Sequence, residues 1–198
     1  MFQFVETICI QDGQPKLLKY HQARLNWTWD NHFNGSPFVI DEILLQHIMP
    51  KQGRYKCRFL YNASEFRVQI EPYVVKPVFT LKLVEGKDMS YSYKSLSRTL
   101  LTELYSSKGK NDDIIIVNSK GELTDSYFAN LAFYDGEGWY TPNTYLLKGV
   151  KRSFLIDRGI LKEIKILKSN LQNFSKVSLI NALLNLGELE IDIESIYN

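Results

Sequence analysis

Residues 112–142, DDIIIVNSKGELTDSYFANLAFYDGEGWYTP, are the stretch that decides the fold. The apolar run 113–118 is typical of a buried strand, and SKG at 119–121 is a turn. Residues 122–134 are again rich in β-formers, and DGEG at 135–138 closes a hairpin onto residues 139–141. The stretch therefore predicts three consecutive strands joined by short turns.

The flanking segments add helices to these strands. Before residue 85, strands are predicted at 2–10, 16–19, 54–61, 65–74 and 78–84, and helices at 20–33 and 42–49. Further helices are predicted at 95–107 and 150–160, followed by short strands near 164–167, 177–183 and 188–193. Helices beside an antiparallel meander are the signature of the α+β class.

The polar and aromatic segment 85–93, EGKDMSYSY, is the best candidate for a domain boundary. We expect two small α/β domains within an α+β chain, an N-terminal domain at 1–86 and a C-terminal domain at 87–198. A chain of 198 residues with 44% hydrophobic content is long enough to bury a core without disulfides.

Charge and cysteine content exclude several classes of function. The net charge is +2, from 24 basic and 22 acidic residues, which argues against a dedicated nucleic-acid binder. Cys9 and Cys57 lie in apolar, β-rich stretches and no CxxC is present, so we predict reduced core thiols and no metal site. The N-terminus has no basic region followed by an apolar run, and no window is long enough to span a membrane. We therefore predict a cytoplasmic protein without nucleic-acid or membrane partners.

A series of short motifs resembles a known family. The deciding stretch, followed by LLKGVKR at 146–152, resembles the C-terminal half of the class IV aminotransferases, which are the fold-type-IV pyridoxal-phosphate enzymes. The positions that match the family's pattern are Asn118, Gly121, Thr124, Asn130, Thr141, Pro142, Gly149, Val150 and Arg152. Upstream, FVETI at 4–8, HQARL at 21–25 and YKSLSR at 93–98 match in the family's order.

The resemblance implies roles for several of these residues. Lys94 would carry the cofactor, which requires an amine that loses its proton near neutral pH. Arg24 would bind the cofactor's phosphate, and Asp125 would face the protonated ring nitrogen. The resemblance also implies cofactor contacts for Asn130 and for the turn Gly149, Val150, Lys151, which opens a predicted helix and so suits an anion.

Two departures from the family affect these expectations. The family has Glu where this chain has Asp125, and the shorter side chain is expected to give a longer or water-bridged contact to the ring nitrogen. Asp125 is nevertheless favoured over Glu122, because residues three apart on a strand face opposite ways. The resemblance begins at FVETI, without the family's preceding glycine-rich segment, so substrate specificity is not carried over.

Several residues keep two interpretations. Arg58 lies on an otherwise apolar strand and is either an edge residue with its charge in water or a ligand for a substrate carboxylate. Lys148 is either solvent-exposed or part of the site for an anionic substrate. His21 is expected to order the start of its helix. Tyr93 and Trp27 are expected to pack rather than to act in catalysis.

The resemblance implies a homodimer that acts on a small amino substrate with pyridoxal 5'-phosphate. The favoured reaction is that of aminodeoxychorismate lyase, which converts 4-amino-4-deoxychorismate to 4-aminobenzoate and pyruvate for folate biosynthesis. The first alternative is an amino acid transaminase, which would use the same residues. The second alternative is a non-catalytic member of the fold that binds a ligand.

Overall fold

The computed structural model describes residues 1–87 and 89–198, which form two compact units. The first unit contains Met1–Val75 and Tyr93–Ser97, and the second contains Lys76–Ser92 and Arg98–Asn198. Both units combine helices with sheets, which confirms the predicted α+β class.

The first unit is an antiparallel sheet with two helices. Its strands are β1 (Phe4–Gln11), β2 (Gln14–Pro15), β3 (Arg54–Tyr61) and β4 (Phe66–Pro72), and its helices are α1 (Leu18–His32) and α2 (Ile40–Leu45). The strand order is β2-β1-β3-β4. The predicted short strand at 16–19 is wrong, because the pairing with β1 ends at Pro15 and the helix begins at Leu18.

The core of the first unit lies on one face of the sheet. Alternate residues of β1 share that face with Phe59 and Cys57 of β3, because the register pairs Glu6 with Phe59 and Ile8 with Cys57. These side chains are buried together with Leu25 from α1. Both cysteines are buried as thiols, as the sequence predicted. Glu6 shares its face of the sheet with Ile8 and Phe59, so it is a charged residue on an apolar face.

The second unit contains the deciding stretch. Its strands are β5 (Leu81–Lys87), β6 (Asp113–Asn118), β7 (Leu123–Ser126), β8 (Asn130–Tyr134), β9 (Trp139–Pro142), β10 (Leu161–Ile164), β11 (Lys176–Ile180), β12 (Glu190–Asp192) and β13 (Ile196–Tyr197). Its helices are α3 (Thr99–Ser106) and α4 (Val150–Asp157), with short 3-10 helices at Lys168–Asn173 and Ile193–Ser195. The main strand order is β10-β9-β8-β7-β6-β5-β13, and β11 pairs with β8 and β12.

The predicted single strand at 122–134 is a hairpin of two strands, β7 and β8. Ser126 turns the chain, because its hydroxyl oxygen accepts hydrogen bonds from the Phe128 and Ala129 amides at 3.3 and 3.0 Å. The reversal pairs Asp125 with Asn130 across the hairpin.

The units do not divide at the predicted boundary between residues 86 and 87. Strand β5 belongs to the second unit, because it pairs in parallel with β6. Residues 93–97 belong to the first unit, because the Val5 amide donates to the Lys94 carbonyl and the Leu96 amide to the Gln3 carbonyl. Lys94 thus belongs to the first unit, whereas the sequence assigned it to the C-terminal domain. Helix α3 begins at Thr99 rather than at residue 95, since Ser95 forms a bridge with Phe4.

None of the helices in the described part of the chain combines the length and apolar character needed to cross a membrane.

Candidate active site

The backbone of Lys94 is held against strand β1 in the first unit. Its carbonyl oxygen accepts a hydrogen bond from the Val5 amide at 3.0 Å, and the Leu96 amide donates to the Gln3 carbonyl at 2.9 Å. The Ser95 amide donates to the Tyr93 carbonyl at 2.8 Å, which makes Lys94 the centre of a tight three-residue turn. The side chain of Lys94 is half-buried.

An aromatic cluster holds the residue that precedes this lysine. The Tyr93 ring stacks on Trp27, with centroids 4.3 Å apart and planes 16° apart. His32 meets the Tyr93 ring edge-on at 4.3 Å, and Phe4 lies 6.3 Å from it. Tyr93 and Trp27 therefore pack against each other in the first unit, as expected. This stack holds the chain on the N-terminal side of Lys94.

Arg24 lies in a buried cluster with His21 and Glu6. The two residues from α1 are three apart and so share one face of the helix, which turns them toward β1. Arg24 donates from Nε to Glu6 Oε1 at 2.8 Å and from Nη2 to Glu6 Oε2 at 2.6 Å. His21 Nδ1 lies 2.5 Å from Glu6 Oε2. Glu6 is 1% exposed and Arg24 is 9% exposed, so the ion pair is shielded from water.

The cluster sets the charge of its members. Burial raises the pKa of Glu6, but the Arg24 charge and the His21 hydrogen bond outweigh it and lower the pKa to about 2. Burial lowers the pKa of His21 more than the Glu6 hydrogen bond raises it, and the charges of Arg24 and Lys94 lower it further. At neutral pH, Glu6 is therefore a carboxylate and His21 is neutral. A carboxylate only accepts, so the His21 proton lies on Nδ1.

Asp125 is the central polar group of the second unit. Its Oδ1 accepts from Asn130 Nδ2 at 2.7 Å, and its Oδ2 accepts from the Leu146 and Leu147 amides at 3.0 and 2.9 Å. Burial raises the pKa of Asp125 to about 6, although these hydrogen bonds oppose the rise. A carboxylate has about four acceptor positions, so three donors leave room for about one more.

Gly149 lets the chain pass directly over Asn130. A Cβ atom at Gly149 would lie 1.8 Å from Asn130 Oδ1, which is closer than any side chain permits. Asn130 also donates from Nδ2 to the Leu147 carbonyl at 2.9 Å, so one amide group binds both Asp125 and the segment that precedes Gly149. Helix α4 begins at Val150, and its N-cap residue, Gly149, has no side chain that could cap it. The N–H groups of its first turn and the helix dipole suit an anion.

Arg152, the last of the matched positions, makes contacts within the second unit. It is buried, and its Nη2 donates to the Pro142 carbonyl at 2.9 Å and to Glu163 Oε1 at 2.5 Å. Its guanidinium lies 4.3 Å from the centre of the Tyr145 ring. The matched residues at 141–142 and 152 thus connect β9 to α4 within the second unit.

The remaining predicted residues lie at varied positions. Arg58 is half-buried on β3, on the face of the sheet opposite Glu6, and donates to Gln69 Oε1 at 3.4 Å. Lys148 is exposed, and Lys151 Nζ donates to Asn185 Oδ1 at 2.7 Å. Substrate binding by Arg58 and Lys148 stays a prediction.

The donor sets of both units fit pyridoxal phosphate. In the first unit, Lys94 offers an amine and Arg24 a guanidinium whose orientation is fixed. In the second unit, the start of α4 suits a phosphate and Asp125 suits a protonated ring nitrogen. The Glu6 carboxylate and the Leu146 and Leu147 amides are the important groups that the sequence interpretation missed. Glu6 had a signal, since a charged residue at a core-facing strand position is rare, whereas backbone amides have none.

The family of the chain follows from comparison with known proteins. The family profile described as "Amino-transferase class IV" matches residues 3–189, so the chain belongs to the class IV aminotransferase family. Membership of this family implies dependence on pyridoxal phosphate.

Within the family, the chain resembles proteins named for aminodeoxychorismate lyase. A crystal structure of a "putative 4-amino-4-deoxychorismate lyase" from Haemophilus somnus 129PT is 31% identical, with a TM-score of 0.88 over 93% of this chain and 98% of that one. A "putative aminodeoxychorismate lyase" from Schizosaccharomyces pombe is 29% identical over 87% of this chain and 83% of its own length. An uncharacterized protein from Haemophilus influenzae is 33% identical over 92% of this chain and 98% of its own length.

Proposed function

We propose that this protein is a pyridoxal-phosphate-dependent lyase that converts 4-amino-4-deoxychorismate to 4-aminobenzoate and pyruvate. The observation that carries the proposal is the likeness, over nearly the full length of both chains, to a structure named for this activity. The reaction is a balanced elimination that needs no second substrate. It would supply 4-aminobenzoate for folate synthesis, in a cytoplasmic homodimer.

Each named residue has a task in this proposal. Pyridoxal phosphate, when bound, withdraws electrons from the substrate carbon beside the amine. Lys94 Nζ would hold the cofactor, and the same amine would move a proton of the substrate. Arg24 and the first turn of α4 bind phosphate, while Asp125 keeps a proton on the ring nitrogen. Asn130 orients Asp125, and Arg58 and Lys148 are candidates for the substrate's carboxylates.

A transaminase is the first alternative, and the description of the family itself favours it. It would begin with the same proton removal and use the same residues, so the products discriminate the two reactions. A ligand-binding protein without catalysis is the second alternative. It is favoured by the three protein donors that already engage the Asp125 carboxylate.

The first test concerns the cofactor and its lysine. Pyridoxal phosphate is added to the purified protein, the visible absorbance is recorded, and borohydride is used to fix any adduct before peptide mapping. We expect a visible band and a label on Lys94, both absent in Lys94→Ala and retained in Lys51→Ala, which removes an exposed lysine of the same unit. An unlabelled Lys94 in the wild type would refute the enzyme proposal and favour a binding protein.

The second test concerns the reaction. The protein loaded with pyridoxal phosphate is incubated with 4-amino-4-deoxychorismate, and both pyruvate and 4-aminobenzoate are quantified. We expect equal amounts of the two products without any added 2-oxo acid. A reaction that proceeds only with a 2-oxo acid and yields a new amino acid would instead identify a transaminase.

A further inference from the structure

We propose that Glu6 is a positioning residue that orients the Arg24 guanidinium toward the cofactor's phosphate. This inference rests on the proposed function, since it assigns a task to the phosphate-binding arginine. Glu6 lies in the FVETI motif and His21 in the HQARL motif, and neither has a task in the proposed reaction.

The geometry of the ion pair defines the orientation of Arg24. Glu6 accepts one hydrogen bond from Nε and one from Nη2, at 2.8 and 2.6 Å, which is a side-on contact with two parallel bonds. A planar guanidinium bound in this way cannot rotate about its own axis. Its other edge, formed by Nη1 and Nη2, therefore has a fixed direction away from Glu6.

His21 holds Glu6 in turn. Its Nδ1–H donates to Glu6 Oε2 at 2.5 Å, and His21 has no exposed surface. The carboxylate thus has donors from two residues of one helix face, His21 and Arg24. Glu6 is set on β1, next to Val5, whose amide binds the Lys94 carbonyl. The same strand consequently anchors both the proposed phosphate ligand and the proposed cofactor lysine.

Two other roles for Glu6 make different predictions. A carboxylate beside a phosphate site repels the phosphate. If this repulsion dominated, Glu6 would weaken cofactor binding and its removal would strengthen it. A Glu6 that serves only stability would, when replaced, weaken all ligands alike. A positioning Glu6 affects only ligands that carry the phosphate.

The experiment compares pyridoxal phosphate with pyridoxal, which lacks the phosphate. Dissociation constants for both are measured by absorbance for the wild type, Glu6→Gln, Arg24→Met and the double variant, with inorganic phosphate as competitor. We expect Glu6→Gln to weaken pyridoxal phosphate on the order of tenfold to a hundredfold, the range for a hydrogen bond to a charged group, and pyridoxal by less than about twofold. In the Arg24→Met background, Glu6→Gln should have no further effect on pyridoxal phosphate.

Each contrary result is distinct. Tighter binding of pyridoxal phosphate by Glu6→Gln would show that Glu6 repels the phosphate. An equal loss of affinity for both ligands would show that Glu6 has a purely structural role. Either result overturns the inference. If Glu6→Gln does not fold, Glu6→Asp retains the buried charge but withdraws it by one methylene, and a smaller phosphate-specific loss is expected. Failure of the proposed function would appear in the wild type, which would then take no borohydride label on Lys94.

Discussion

Asp125 and Asn130 face each other across the β7–β8 hairpin, and the Asn130 amide donates to Asp125 Oδ1 at 2.7 Å. The same Asn130 nitrogen donates to the Leu147 carbonyl, and Asp125 Oδ2 accepts from the Leu146 and Leu147 amides. Two side chains five residues apart therefore hold a loop that follows β9 in the chain. This network connects the family's matched hairpin to the start of α4.

Removal of the Asn130 side chain should destabilise the protein. Asn130→Ala leaves the buried Asp125 Oδ1 and the partly buried Leu147 carbonyl without this donor, and an unpaired buried group costs about 1–3 kcal/mol. We expect the free energy of unfolding, measured with urea, to fall by about that amount. Asn143→Ala is the control, since Asn143 is exposed in the same unit. Equal stability of Asn130→Ala and the wild type would contradict the importance of the network.

Gly149 should not tolerate a methyl group. In Gly149→Ala the new Cβ would collide with Asn130 Oδ1, and overpacking of this kind costs about 1–3 kcal/mol. We expect a lower unfolding temperature and, if the proposed function holds, weaker binding of pyridoxal phosphate. Gly138→Ala is the matched control, because its Cβ would meet the Tyr140 ring only at ordinary contact distances from 3.5 Å. A Gly149→Ala protein as stable as Gly138→Ala would show that Asn130 moves aside easily.

Asp113 should make stability depend on pH. Burial raises the pKa of Asp113 to about 6, from 3.8 for an ordinary aspartate. Between these two pH values the folded state binds more protons than the unfolded state, so this contribution to stability is lost as the pH rises from about 4 to about 6. We expect the free energy of unfolding of Asp113→Asn to lack this loss. The difference between the variant and the wild type should therefore shift in favour of the variant by on the order of 2 kcal/mol between pH 4 and pH 7.

Urea unfolding of both proteins at pH 4 and pH 7 tests this prediction. The free energy of unfolding of Asp113→Asn minus that of the wild type should be larger at pH 7 than at pH 4, because the variant carries an amide that does not titrate at this position. A difference that is the same at both pH values would mean that Asp113 titrates normally in the folded protein.

Trp27 should help to place Lys94. Its ring, although 43% exposed, stacks on Tyr93, and aromatic pairs contribute about 0.5–1.5 kcal/mol. We expect Trp27→Ala to slow the formation of the borohydride-fixed adduct on Lys94 by roughly threefold to tenfold, the factor that corresponds to this free energy. Trp27→Phe should restore most of the rate.

The control for Trp27 is another exposed aromatic ring of the same unit. Phe66 is 40% exposed and stacks on Phe59. If Phe66→Ala slowed labelling of Lys94 as much as Trp27→Ala does, the effect would arise from general loosening of the unit rather than from the Trp27–Tyr93 stack.

Local periodicity was sufficient to predict several elements. The strands at 54–61 and 113–118 have the predicted bounds, because alternation and a continuous apolar run are properties of neighbouring residues. The hairpin within 122–134 was missed for the same reason. Its β-rich composition continues through the reversal, and only the contacts of Ser126 with the next residues mark the turn.

By itself, the sequence determined the family, the α+β class and the matched motif positions, since these depend on residue types at fixed spacing. Only the tertiary structure decided that Lys94 joins the first unit, that Glu6 and His21 bind and orient Arg24 within it, and that backbone amides surround Asp125. The physical reason is that these contacts join residues distant in the chain. The side chains of Glu6, His21 and Arg24 meet only when β1 packs against α1, whereas the contacts of Lys94 and Asp125 use backbone groups common to every residue. Such groups leave no pattern in the sequence, and their partners become defined only when the strands and loops pack.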